Sequence, residues 1–392
     1  MNFFKKTYCG NLLFSLFLLL STLSYAQVPP PAVQAKSWLL VDTLSKQTLA
    51  SSNADQRVEP ASLTKLMTTF LVFDALKTKK ISLEQMVVPS DNILRVKRDE
   101  SRSFIEVNKP VSVQNLLHGM VTQSGNDATI ALAELVGGSE AGFVKMMNDA
   151  AQKLEMNHTH YADVNGMPDP NHYTTANDMA KLAEHLINDY PEYFPIFSEK
   201  HFTYNKIKQP NRNRLLWIDS TVDGLKTGHT AAAGYCLIAT AKRPIAINNE
   251  SERRLISIVM GEPSDAARTQ DSLKLLNYGY QAYGVLKLYE KDKPIETIKI
   301  YKGKYSNLEV GFLNDQYVSA PREKLESLKT VFVSKQPLQA PIKQGETIGV
   351  VKVLMNDQSY NEFPVVALKT VEEGNFFKRL IDSIVLLFSR SK

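Results

Sequence analysis

The sequence predicts an α/β (α+β) domain with an antiparallel sheet and a helical region, followed by a small all-β domain and a C-terminal amphipathic helix. Three observations carry this. Strand-like segments stand on both sides of a helix-rich stretch at 113–183, so one sheet joins the two ends of the first domain. From about 288 to 370, short alternating segments bounded by turn residues replace the helical pattern. The tail from Asn375 then repeats apolar side chains every four positions. A chain of 392 residues is long enough for two or three domains. The divisions expected are a leader at 1–26, a first domain at 27–285, an all-β domain at 286–371 and a terminal helix at 372–392.

Composition excludes whole classes before any element is placed. At 43% hydrophobic and 22% charged residues, with 18 Gly and 18 Pro, the chain is neither disordered, collagen-like nor a polytopic membrane protein. Its net charge of +5 comes with no dominant basic block, which argues against a nucleic-acid partner.

The N-terminus has the layout of a secretory signal. Lys5 and Lys6 precede the apolar run Leu12–Leu20, and Ser24-Tyr25-Ala26 is a small-x-small cleavage site. The run is too short to span a bilayer comfortably, and Gln27-Val28-Pro29-Pro30-Pro31 reads as an extended linker. Cleavage after Ala26 removes Lys5 and Lys6 and no acidic residue, so the net charge falls from +5 to +3. It also removes Cys9. Only Cys236 remains, inside the apolar run Tyr235–Ala239, so it reads as a buried strand thiol and no intramolecular disulfide is possible.

The elements follow in order. Ser37–Asp42 and Gln47–Ser51 read as a hairpin, and Ala61–Lys77 as a helix with Leu63, Leu66, Met67 and Phe70 at helical spacing after Pro60. The helical stretch 113–183 is interrupted by a loop rich in Asn, Pro and Gly at 163–173. Gly234–Ala241 and Arg254–Met260 read as a hairpin of buried strands, and a helix from roughly Ala266 to Ala282 closes the domain. Thr297–Tyr301, Thr330–Val333 and Ile348–Leu354 alternate as strands, with no convincing helix among them. In the tail, Phe376, Leu380, Ile384 and Phe388 share a face with Phe377, Ile381 and Val385, while Lys378, Arg379, Asp382 and Ser383 lie opposite. Three charges in its first half suit the tail to lying in a membrane interface rather than crossing a bilayer; a terminal helix packed on the protein's own core is the alternative.

Three short motifs carry chemistry. Ser62-Leu63-Thr64-Lys65 puts a hydroxyl and an amine three residues apart at a helix start, on one face. A neutral lysine can take the serine's proton when burial or another cation depresses its pKa. Ser124-Gly125-Asn126, between two helical stretches, offers a hydroxyl for proton relay and an amide to grip a peptide. Lys226-Thr227-Gly228-His229-Thr230 precedes the buried strand pair and supplies a second cation, a hydroxyl and a glycine that lets a backbone approach. Singly these patterns are weak: Ser389–Lys392 repeats the first and Ser51-Ser52-Asn53 the second.

Together, in this order and in these settings, they match the motif set of serine β-lactamases and penicillin-binding proteins. The chain resembles the D-alanyl-D-alanine carboxypeptidases, the low-molecular-mass penicillin-binding proteins of type 5/6, over nearly all of its length after the leader. The resemblance rests on Pro60–Lys65, Gln123–Asp127, Val222–Thr230, Gly234-Tyr235 and Glu373–Phe377. It implies a β-lactamase/transpeptidase-like catalytic fold and a serine-type carboxypeptidase acting on peptidoglycan stem peptides. By that resemblance Ser62 attacks the carbonyl between two terminal D-alanines, Lys65 is its base and Ser124 passes a proton to the leaving D-alanine. Lys226 sets the local potential, and Asn126 holds the substrate peptide. Backbone N–H groups of Ser62 and His229 form the oxyanion hole. The terminal carboxylate sits near Thr227, with Arg268 and then Arg212 matching the family's arginines as its cations, while Gly228 lets the substrate backbone approach. β-Lactams are implied as covalent inhibitors, and no cofactor or metal is implied.

Two departures argue against an efficient β-lactamase. The middle motif is Ser-Gly-Asn rather than Ser-Asp-Asn, and the 163–173 loop has no glutamate to activate a deacylating water. A D,D-endopeptidase, a weak β-lactamase and a non-catalytic cell-wall-peptide binding module remain the alternative readings. His158-Thr159-His160 lacks a third ligand pattern and reads as a solvated loop or strand. The leader and tail together imply the periplasmic face of a bacterial inner membrane.

Overall fold

The structure, a computed structural model, describes residues 29–245 and 248–389. The expected leader at 1–26, with Cys9, lies outside the described residues.

The N-terminal hairpin forms as expected, β1 (Ser37–Asp42) against β2 (Gln47–Ser52). The first helix differs in its opening turn. Residues Ala61–Thr64 are a 3-10 turn, and α1 runs Lys65–Lys77. The short pair β3 (Met86–Val87) and β4 (Val111–Ser112) leads into α2 (Val113–Thr122), α3 (Asn126–Gly137), α4 (Glu140–Lys153) and α5 (Ala176–Asp189). Ser112, Ser139 and Thr175 cap α2, α4 and α5 by accepting a backbone N–H, each worth about 1 kcal/mol. A small hairpin, β5 (His201–Tyr204) with β6 (Ile207–Pro210), and the one-turn α6 (Leu215–Ile218) precede β7 (Val222–Thr230), β8 (Gly234–Ile245) and β9 (Asn248–Glu262). Helix α7 (Asp265–Ala282) closes the domain.

The central sheet is antiparallel in the order β2-β1-β9-β8-β7, so the chain's first strands pair with its late ones, Leu40 opposite Ser257. Strand alternation divides the core between its two faces. Leu39, Val41, Cys236 and Ile238 join the helical layer around Leu66, Leu116 and Leu132, while Trp38, Leu40, Leu237 and Ala239 pack under α7 against Leu275 and Leu276. Burial on both faces is why these strands read as unbroken apolar runs.

The second domain is all-β. Its strands are β10 (Tyr283–Tyr289), β11 (Pro294–Tyr301), β12 (Asn307–Gly311), β13 (Gln316–Pro321), β14 (Lys329–Ser334), β15 (Leu338–Gln339), β16 (Thr347–Met355) and β17 (Gln358–Ala367). β10 pairs with β13, and the rest form a sheet ordered β14-β16-β17-β12-β11-β15. A 3-10 turn at Arg322–Ser327 interrupts the all-strand expectation.

β10 starts at Tyr283, directly after α7 and ahead of the expected 286, yet Tyr283 also packs in the first domain's core, its hydroxyl donating to Leu49 O at 3.0 Å, so the two domains share this residue. Glu373 bridges Gly303 and Gly374 N donates to Lys302 O, so the β domain extends past 371 and α8 runs Phe376–Ser389. The domains meet at Ser319. Its hydroxyl donates to Asp42 and accepts from Ser45 at 3.0 Å, its N–H donates to Gln47 at 2.7 Å, and Asp42 pairs with Arg253 at 2.7 Å, all buried or nearly so.

Candidate active site

A cleft of about 870 Å³ opens between the helical half of the first domain and β7, the edge strand of its sheet. Ser62, Ser124, Asn126, Thr227, Gly228, His229, Arg212 and Arg268 all line it. Lys65 and Lys226 are buried beside it. Every site residue expected from the sequence is therefore brought to one place, from segments as far apart as residues 62 and 268.

Ser62 sits in the 3-10 turn and Lys65 is the first residue of α1. Lys65 Nζ lies 3.0 Å from Ser62 Oγ and donates to Asn165 O at 2.8 Å. Burial lowers the Lys65 amine to about 7; Arg212 pushes it further down, while Asp163, Glu100 and Asp127 oppose. Half of such amines are neutral near pH 7, the form able to accept the serine's proton. Lys226, also buried, donates to Thr227 O at 3.1 Å and is held well below the usual lysine range by desolvation and then by Lys65, Arg212 and Arg268.

The turn between α2 and α3 is tight: Ser124 has a positive φ of 65°, and Gly125 N donates to Gly119 O. Ser124 Oγ is buried yet has no hydrogen-bond partner among the described residues, so a ligand in the cleft is its natural partner. Asn126 gives one amide hydrogen to Glu100 at 2.6 Å. Its neighbour Asp127 accepts from Ser103 N, Ile105 N and Ala128 N, which pins the 99–105 loop on the cleft wall.

On the opposite wall, β7 aligns Lys226, Thr227 and Gly228 with Ile238, Leu237 and Cys236 of β8. Gly228 serves the fold as well as a ligand. A Cβ there would meet Pro60 O at 3.0 Å and Leu63 N at 3.2 Å, so the glycine lets the strand press against the turn that carries Ser62. His229 stacks on Tyr235 with ring centroids 4.0 Å apart. Arg268 donates to Gly228 O at 3.0 Å and pairs with Asp265, which Arg214 also contacts at 2.8 Å. Arg212 lines the cleft with no ion-pair partner among the described residues.

Sequence reasoning missed four contributors: Glu100, Asn165, Gly166 and His172. Asp163 gathers the N–H groups of Asn165, Gly166 and Met167, which aims the Asn165 carbonyl at Lys65. Gly166 (φ 86°) approaches so closely that a Cβ would stand 1.8 Å from Ala61 O. His172 Nε2 and Thr64 Oγ1 are hydrogen-bonded at 2.8 Å beneath the turn. The richness of 163–173 in Asn, Asp and Gly was the available signal, though it located a loop and not its partner.

Elsewhere, Cys236 is fully buried and its thiol is pushed up to about 11 by burial. His160 bonds Asn171 O at 2.6 Å and stacks on Tyr173. No group of three His, Cys, Asp or Glu suited to a metal occurs among the described residues.

With this geometry in hand, likenesses to known proteins become informative. A family model described as D-alanyl-D-alanine carboxypeptidase matches residues 24–264, and one described as penicillin-binding protein 5, C-terminal domain, matches 283–373. The chain is 40% identical over 381 residues to D-alanyl-D-alanine carboxypeptidase DacC of Escherichia coli (strain K12), covering 95% of this chain and 94% of that one. The crystal structures of penicillin binding protein 5 from Haemophilus influenzae superpose with a TM-score of 0.84 at 39% identity, over 88% of this chain and all of that one. Penicillin-Binding Protein D2 from Listeria monocytogenes, in an ampicillin-bound form, matches 64% of this chain and 99% of its own at 32% identity and a TM-score of 0.57.

Proposed function

The chain belongs to the D-alanyl-D-alanine carboxypeptidase family, and on that basis we propose that it is a serine-type, penicillin-binding carboxypeptidase that removes the terminal D-alanine from peptidoglycan stem pentapeptides. The observation that carries the reading is the depressed Lys65 amine 3.0 Å from Ser62 Oγ, facing a cleft in which Arg212 has no ion-pair partner among the described residues.

Lys65, neutral, takes the hydroxyl proton of Ser62 as Oγ bonds to the carbonyl carbon between the two D-alanines. The oxyanion lies between the backbone N–H groups of Ser62 and His229, which the close packing of Gly228 on the Pro60–Leu63 turn supports. The C–N bond then breaks as Ser124, its buried hydroxyl without a partner among the described residues, gives its proton to the departing amine and is reprotonated by the Lys65 ammonium, which returns Lys65 to its neutral form. Lys226, its amine held well below the usual lysine range by burial and by its neighbouring cations, tunes the local potential beside Ser124. Arg212, Arg268 and Thr227 hold the terminal carboxylate, and Asn126 holds the peptide on the acyl side. Water hydrolyses the ester. A β-lactam presents the same carbonyl and acylates Ser62.

Two features favour this over the alternatives. Asp163 in the 163–173 loop accepts from the backbone N–H groups of Asn165, Gly166 and Met167, so its carboxylate is committed to holding the loop rather than to activating a deacylating water. Two buried lysines beside a serine would be costly in a mere binding module. Fluorescent penicillin should label the protein covalently, and Ser62→Ala should not label; persistent labelling would reassign the nucleophile. Incubation with a pentapeptide should release free D-alanine. Cleavage of cross-linked peptide in preference would make it an endopeptidase.

The same proposal extends to location: export by the leader, and attachment of α8 to the periplasmic face of the inner membrane. Phe377 is 73% exposed and Phe388 71%, whereas Leu386 is 7% exposed, so the apolar face is left open rather than packed on the protein's core. Asp382 fixes the helix on the β domain by accepting Lys302 N–H, and Lys378 donates to Ser306 at 2.6 Å. No helix among the described residues is long and apolar enough to cross a membrane. A truncation after Gly374 keeps the last strand bridges. It should fractionate as soluble with its peptidase activity intact; membrane sedimentation of the truncated form would remove α8 as the anchor.

A further inference from the structure

His172, on the 163–173 loop, is buried beneath the turn that carries Ser62. Both of its ring nitrogens are engaged. The backbone N–H groups of Ala162 and Asp163 donate to Nδ1 at 3.2 and 3.3 Å, and Nε2 stands 2.8 Å from Thr64 Oγ1. A backbone N–H can only donate, so Nδ1 is the unprotonated nitrogen. The hydrogen therefore sits on Nε2, which donates to the Thr64 hydroxyl. Tyr161 meets the ring edge-on, with centroids 5.7 Å apart, and holds its plane.

These three bonds join two segments that both position Lys65. Thr64 precedes Lys65 in the chain, and its fully buried hydroxyl borders Gly166, where a Cβ would come within 2.8 Å of it. Ala162 and Asp163 lead into the loop whose Asn165 carbonyl accepts from Lys65 Nζ at 2.8 Å. His172 thus fastens the backbone beside the base to the loop that aims its amine. A proton added at Nδ1 would set one N–H against two others and undo the fastening. Burial holds the imidazole below its ordinary range, and His160 and Lys65 push the same way. Asp163, whose Oδ1 lies 3.8 Å from Nδ1, and Asp169 oppose them.

We infer that His172 is a positioning residue for acylation: its neutral imidazole ties the Asn165 loop to the Ser62 turn and so keeps Lys65 Nζ aligned on Ser62 Oγ. The inference rests on the carboxypeptidase reading above, in which Lys65 is the base. It adds a second group that must be neutral for that base to act.

The test follows the rate of fluorescent penicillin labelling between about pH 5 and 8, with labelling carried to completion to count folded sites. His172→Leu removes the bond to Thr64 and leaves the Ala162 and Asp163 N–H groups unpaired. Its rate per folded site near pH 8 should fall about 10–100-fold, the effect of a small misalignment of reacting groups. His172→Gln offers Thr64 an amide N–H and does not titrate, so near pH 8 it should label within about threefold of wild type. Below about pH 6 the wild type needs both Lys65 and His172 neutral, whereas His172→Gln needs only Lys65. The wild-type rate should therefore fall more steeply with acid, by up to about tenfold more per pH unit. A merely structural role would lower the thermal stability of both variants and leave rates per folded site and pH slopes unchanged. Labelling of His172→Leu at the wild-type rate per folded site, or parallel pH profiles for wild type and His172→Gln, overturns the inference and leaves the carboxypeptidase reading intact. Wild-type protein that penicillin does not label overturns that reading, and the inference with it.

Discussion

Lys65 Nζ stands 3.0 Å from Ser62 Oγ, and its second hydrogen bond goes to Asn165 O, a hundred residues along the chain. The i, i+3 spacing brings the two side chains near each other. The Asn165 carbonyl then holds the amine in place, and burial sets its proton affinity.

Acylation should follow the neutral fraction of Lys65. Because its amine is lowered to about 7, the rate of penicillin labelling should climb as pH rises from 6 to 8 and then level off. Arg212 lowers the amine, so Arg212→Gln should move that rise to higher pH. Glu100 raises it, so Glu100→Gln should move the rise to lower pH. Lys65→Ala should slow labelling by about 10²–10⁴-fold on the plateau near pH 8 and abolish the rise with pH. Stopped-flow or gel labelling across the range checks all four; shifts of the same sign in the two charge variants would contradict this electrostatic account.

The carboxylate of the substrate should be recognised as a charge. Amidating the C-terminus of a D-Ala-D-Ala peptide should lower kcat/KM by about 10–100-fold, the effect of a charge-assisted hydrogen bond. In Arg212→Gln the two peptides should differ much less.

Gly166 and Gly138 make a matched pair. Both have positive φ, but a Cβ at Gly166 would collide with Ala61 O, whereas nothing lies within 4 Å of one at Gly138. Gly138→Ala should cost about 1–2 kcal/mol by calorimetry and leave penicillin labelling unchanged. Gly166→Ala should cost more and also slow labelling, since Ala61 precedes the nucleophile. Equal loss of labelling in both would show that general instability is responsible.

The domain junction depends on Asp42. Arg253 and Asp42 are buried together, and Ser319 from the β domain donates to the same carboxylate. Asp42→Ala leaves a buried, uncompensated guanidinium and should cost about 3–5 kcal/mol in denaturant unfolding. Ser319→Ala removes a donor to that carboxylate and the acceptor of Ser45 but leaves the ion pair intact, and should cost less, about 1.5–3 kcal/mol.

Much of this was legible in the sequence. The hairpin of Ser37–Asp42 and Gln47–Ser52, the apolar pair Gly234–Ala241 and Arg254–Met260 and the four-residue rhythm of the tail encode their elements locally, because side-chain period follows backbone geometry, whereas α1 is buried on nearly every side and shows no single apolar face. The order of the three motifs identified the chemistry. What could not be read locally was the seam at Tyr283, where a residue of the first domain's core begins a strand of the second. Nor could the first turn of α1 be read as 3-10: the helical spacing of Leu63, Leu66 and Met67 is nearly the same in either form.

The sequence by itself determined which groups are present: a serine and a lysine one helical turn apart, a Ser-x-Asn, a Lys-Thr-Gly, and an amphipathic tail. The tertiary structure decided what those groups are worth. Lys65 becomes a base because Asn165 holds it and the packed walls exclude water. Gly228 is needed because β7 presses on the Pro60–Leu63 turn, and Glu100 matters because a loop more than twenty residues before Asn126 folds back against it. Periodicity is a property of neighbours in the chain, whereas desolvation and charge coupling depend on neighbours in space, which only the assembled sheet and helices bring together.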